Sequence, residues 1–174
     1  MKTVNIILDT DIGSDCDDMA ALAYLVYAKR YLEVNIAAIT YSHTSEYGVG
    51  CIRAFFRNMR ENCPPIGVGD IVEGSRDFYC RRICEEFGGK KYEAASDGAV
   101  RVLRKALVNN ERSVICAIGP MTNIAALLKS APDDISELDG VRLVEQKCDR
   151  IIMMAGDFSY LGGGLFVNCI IIRR

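Results

Sequence analysis

The sequence has a single histidine and no CxxC pair among its eight cysteines. A zinc site built from Cys and His is therefore not expected. No stretch of 18 apolar residues occurs, so no segment is expected to span a membrane. A basic stripe is also missing. The 21 Lys and Arg are interspersed with 23 Asp and Glu, for a net charge of −2, which argues against a nucleic-acid binder. No internal repeat, low-complexity tract or linker interrupts the chain, and 174 residues fit one domain over 1–174. Residues 1–8 are too short, and too quickly followed by Asp9, to read as a secretory leader. The expected location is the cytoplasm. Without an export signal, the cysteines read as buried thiols and not as a disulfide framework. Cys116 lies inside an apolar run, and Cys80 and Cys84, four apart, would share a helix face.

Half of the residues are hydrophobic, enough to bury a sizeable core. They fall into two patterns. Continuous β-rich runs at 4–8, 34–40, 66–68, 114–118 and 151–154 have the character of buried parallel strands. Helical spacing links Met19, Leu22, Ala23 and Val26, then Cys51, Ala54, Phe55 and Met59, then Val100, Leu103 and Leu107. A further helix is expected over 121–129, with Pro120 at its first turn and Pro132 beyond its end. Strand and helix alternate throughout. This predicts a doubly wound α/β fold: a mostly parallel sheet with helices on both faces. Ligands of such folds bind beyond the carboxyl ends of the strands.

The loop after the first strand reads Asp9-Thr10-Asp11-Ile12-Gly13-Ser14-Asp15-Cys16-Asp17-Asp18, with five carboxylates in ten residues. Like charges this close need a counter-charge, protonation or a helix dipole. Asp17 and Asp18 are placed at the start of the next helix, where the dipole contributes only about 0.3–1 kcal/mol each. A hard divalent cation, which takes six to eight oxygens, is the natural partner. Gly13 would provide the tight turn that lets the acids converge. The plainer alternative has Asp15 capping the helix and the other acids in water. An EF-hand does not fit, because its sixth and twelfth positions, counted from Asp9, hold Ser14 and Ala20. An Asp-x-Asp phosphatase of the haloacid dehalogenase type, with Asp9 as nucleophile, matches Asp9-Thr10-Asp11 but leaves the other acids unexplained.

The stretch Ile7-Leu8-Asp9-Thr10-Asp11-Ile12-Gly13, followed by Asp17-Asp18, resembles the N-terminal signature of nucleoside hydrolases, in a branch whose motif is longer by two residues. Ile118-Gly119-Pro120-Met121-Thr122-Asn123-Ile124-Ala125 is similar to that family's Gly-Pro-Leu-Thr-Asn-Ile-Ala segment, and residues 151–157 to its next strand and glycine loop. The resemblance extends to about Gly156. It implies an N-ribohydrolase of purine or pyrimidine nucleosides that uses a calcium-bound water. Asp11 would be a calcium ligand and general base, Asp18 a ligand, and the carbonyl of Ile118 a backbone ligand. Asp17 would bind the ribose hydroxyls, with Asp9 supporting metal and sugar from behind. The insertion leaves open whether Asp15 takes the metal and Asp17 the ribose, or the reverse. Asn168 is the candidate survivor of the family's ribose-gripping Glu-Phe-Asn segment.

The family's acid for the leaving base and its last aspartate ligand come from a C-terminal part that this chain does not match. The expectation is an incomplete domain, either a hydrolase of nucleosides or a non-catalytic calcium-binding remnant. An uncovered sheet edge would favour self-association. Ser42 and Ser45 stand near the place of the family's ribose-binding Asn. His43 is expected in solvent. Arg81, Arg82, Lys90 and Lys91 neighbour Glu85, Glu86 and Glu93 and read as a solvated surface. Gly162, Gly163 and Gly164 read as a loop, because no helix pattern follows them.

Overall fold

The computed structural model describes residues 3–71 and 77–154, except the side chain of His43, and the backbone of 169–173. A seven-stranded sheet forms the middle layer. Its strands are β1 (Val4–Thr10), β2 (Val34–His43), β3 (Ile66–Ile71), β4 (Asp97–Gly98), β5 (Ser113–Ala117), β6 (Cys148–Met154) and β7 (Cys169–Arg173). Their order is β4-β3-β2-β1-β5-β6-β7. All neighbours pair in parallel except β6 and β7, which are antiparallel. This is the doubly wound α/β fold with one antiparallel edge strand.

Helices α1 (Asp17–Tyr31), α2 (Gly48–Asn58) and α3 (Cys80–Phe87) cover one face. The other carries α4 (Ala99–Asn109), α5 (Thr122–Lys129) and α6 (Gly140–Lys147). Each face has its own apolar cluster. Leu22, Val26, Ile52 and Phe56 pack on Leu8 and Ile39 on the first. Leu103, Leu107, Ile124, Leu127 and Leu143 pack on Ile7 and Ile115 on the second. Successive β1 side chains thus serve opposite layers, as the period of a strand requires. Cys51, Cys80, Cys84 and Cys148 are buried thiols outside any disulfide.

Two expectations shift. The helix read over 121–129 starts at Thr122, and Met121 precedes it in the left-handed region at φ +62°. Pro120 therefore stands before the helix and not in its first turn. Ala23 is exposed, and the α1 stripe runs through Leu22, Leu25 and Val26 instead.

Candidate functional site

Strand order reverses at β1, which lies between β2 and β5. Such a switch point opens a crevice beyond the strand ends. There Asp9 pairs in register with Thr40 on one side and Ala117 on the other. The chain then folds inward. Ile12 is fully buried in the core, and Gly13 turns the backbone at φ +122°, a conformation that side chains disfavour. Helix α1 begins at Asp17, so Asp17 and Asp18 form its first turn.

Asp15, Asp17 and Asp18 each present a carboxylate oxygen within 4.8 Å of the others. Asp15 and Asp17 are exposed, whereas Asp18 is buried and accepts a hydrogen bond from Thr10 Oγ1. Asp11 stands beside this trio, its Oδ2 accepting from Ser14 Oγ at 3.2 Å. Asp9 is sealed from solvent. Its Oδ1 accepts from Thr40 Oγ1 at 2.7 Å and Asn123 Nδ2 at 2.8 Å, while Oδ2 is buried without a partner.

These acids strain against their own charge. Burial pushes the Asp18 carboxyl up to about 7, with Thr10 opposing the rise and the charges of Asp11, Asp17 and Asp15 adding to it. Burial likewise takes Asp9 to about 6, against the bonds from Asn123 and Thr40. Asp15 rises to about 6, first because its side chain shares a hydrogen bond with Asp17. Burial also holds Asp11 above the usual carboxylate range. An all-oxygen donor set, a convergent trio and a sealed, unpartnered carboxylate oxygen fit a hard divalent cation. Softer metals find no thiolate or imidazole in the trio.

Two neighbouring segments hold the loop. Residues 77–80, leading into α3, grip its turn. Phe78 N donates to Gly13 O at 2.9 Å, Gly13 N donates to Tyr79 Oη at 3.2 Å, and Cys80 Sγ donates to Ile12 O at 3.4 Å. Asp77 braces that grip by accepting from Ser45 Oγ and from the backbone of Tyr79 and Cys80. The second segment follows β5. Ile118 N donates to Asp9 O at 2.8 Å, and a Cβ on Gly119 would stand 3.1 Å from Asp11 N, so glycine permits that approach.

Asp9, Asp11, Asp15, Asp17, Asp18 and Ile118 therefore gather at one end of the sheet, Asp15 and Asp17 in the same trio. Asn168, Gly162, Gly163 and Gly164 lie outside the described residues, as does the side chain of His43. Ser42 is buried, its Oγ 3.3 Å from Asn123 Nδ2. Arg81 and Arg82 pair with Glu85 and Glu86 on an exposed face, and Lys91 pairs with Glu46. The sequence reading passed over Thr40, Asp77 and Tyr79. Only strand register could have flagged Thr40. Asp9 is fully buried, which weighs against the phosphatase reading with Asp9 as nucleophile. Among the described residues, no helix is long and apolar enough to cross a membrane.

A carboxylate cluster at the switch point of a doubly wound sheet is compatible with a broad class of α/β proteins. Within it, the profile of the inosine-uridine preferring nucleoside hydrolases matches residues 6–164, and the chain belongs to that family. An uncharacterized protein of Schizosaccharomyces pombe is 42% identical over 66 residues, covering 37% of this chain and 18% of that protein. The fold is similar to the type III effector XopQ complexed with adenosine diphosphate ribose, at TM-score 0.61 and 18% identity, over 91% of this chain and 45% of that one. It is also similar to the effector protein XOO4466, at TM-score 0.58 and 18% identity, over 91% and 46%. The chain spans less than half the length of either solved structure.

Proposed function

We propose that this chain is a calcium-dependent N-ribohydrolase domain that cleaves the glycosidic bond of purine or pyrimidine ribonucleosides. The observation that carries the reading is the convergence of Asp15, Asp17 and Asp18 at the start of α1, in a member of this family. Asp11, Asp18, the carbonyl of Ile118 and one of Asp15 and Asp17 would hold the ion. When bound, calcium supplies Lewis acidity that lowers the cost of deprotonating the attacking water.

The chain's own residues do the rest. Asp11 accepts the water proton as general base. Whichever of Asp15 and Asp17 is not on the ion takes the ribose hydroxyls, with Asn168 as a further ribose contact. Water attacks the anomeric carbon, the C1′–N bond breaks with its electron pair going to the base, and the base takes a proton from solvent while Asp11 returns its own to solvent. The ring passes through an oxocarbenium-like state whose positive charge the surrounding carboxylates stabilise. A second reading of the same acidic trio is a calcium-binding unit without turnover.

Calorimetric titration with CaCl2 and a reducing-sugar assay with inosine and uridine separate the two. Asp18→Asn is expected to weaken calcium binding at least about tenfold and to abolish ribose release. Unchanged binding would overturn the ligand assignment. Intact calcium binding with no ribose released supports the second reading.

A further inference from the structure

Asn123 is the second residue of α5, and its side chain is buried. It does not cap its helix. The N-cap is Met121, and no side chain caps that end. The Asn123 amide is spent on Asp9 Oδ1 at 2.8 Å and Ser42 Oγ at 3.3 Å. Thr40 Oγ1 donates to the same Asp9 oxygen at 2.7 Å. Two donors on one oxygen fix the plane of the carboxylate, so the direction of Oδ2 is fixed too, and Oδ2 is the buried atom with no partner. Space for this arrangement comes from β3. A Cβ on Gly69 would stand 1.8 Å from Asn123 Oδ1. The same stretch after β5 also grips the Asp9 backbone, through Ile118 N. Asp9 is thus held at main chain and side chain by one segment.

We propose that Asn123 is a positioning residue that orients the Asp9 carboxylate toward the cation site, with Gly69 as the gap that admits its amide; this rests on the calcium reading above. Groups that hold a metal site's acids in place typically change metal affinity about 10–100-fold when removed. The test is calorimetric calcium titration of the wild-type chain, Asn123→Leu and Gly69→Ala, beside the melting temperature of each without metal. Asn123→Leu keeps the number and branching of the heavy atoms and removes the donor, whereas Gly69→Ala keeps the amide and displaces it. Both are expected to bind calcium about 10–100-fold more weakly, and if one fails to fold the other decides. Lowered melting with calcium affinity within about twofold of wild type would reduce Asn123 to a packing role and overturn the proposal. Wild-type protein that binds no calcium would instead sink the metal reading itself.

Discussion

Gly13 makes a single-residue demand on the acid loop. Its φ of +122° is open to glycine and strained for anything larger, and an added Cβ would meet Cys80 Sγ at 3.1 Å. Gly13→Ala is expected to cost about 1–2 kcal/mol, read by urea denaturation, and to loosen calcium binding, because the turn sets where Asp15 and Asp17 arrive. This demand was visible in the sequence: five aspartates around one glycine are a local signal, and local signals survive without coordinates. The partners of Asp9 were not visible. Thr40 lies 31 residues away and Asn123 lies 114 away, so only the sheet brings them together. Asn123 could be singled out from its motif, but its duty could not.

At the scale of elements, most apolar strands and striped helices were readable; β7, the isoleucine run of Cys169–Arg173, was not read as a strand, and two further exceptions share a cause. Strand β4 is two residues, Asp97 and Gly98, with no apolar run to betray it. Helix α6 buries only Gly140 and Leu143, too thin a stripe for periodicity to register. What locks the loop before α6 to α4 is polar. Arg104, fully buried, donates to both Asp133 oxygens at 2.8 and 2.9 Å, to Ser130 Oγ, and to the carbonyls of Ser136 and Leu138. Arg104→Ala strands those acceptors and is expected to cost about 3 kcal/mol, measured by chemical denaturation. The calcium affinity of the folded fraction should not change, since this lock is remote from the acid loop.

For the molecule as a whole, the acid loop ties stability to pH and to calcium. Asp9, Asp15 and Asp18 have folded pKa values near 6, 6 and 7 against an ordinary 3.8. The folded state therefore binds extra protons between about pH 4 and pH 7, and what these groups contribute is lost as pH rises through that window. A cation relieves the same repulsion at neutral pH and competes with protons below it. Calcium at 100 times its Kd is expected to add about 2.7 kcal/mol, raising the melting temperature by roughly 5–10 °C for a chain of this size. At one fixed calcium concentration, scanning calorimetry should find a larger increment at pH 7.5 than at pH 5. An equal increment at both would mean that the ion does not sit among these carboxylates.

The contact between Tyr79 Oη and Gly13 N puts a phenol against the turn that would close around an ion. With no tryptophan in the chain to draw off its excitation, tyrosine light is the protein's only strong intrinsic emission. Calcium titration should therefore change that emission without any added dye, and Tyr79→Phe should mute most of the change, leaving a built-in gauge of site occupancy.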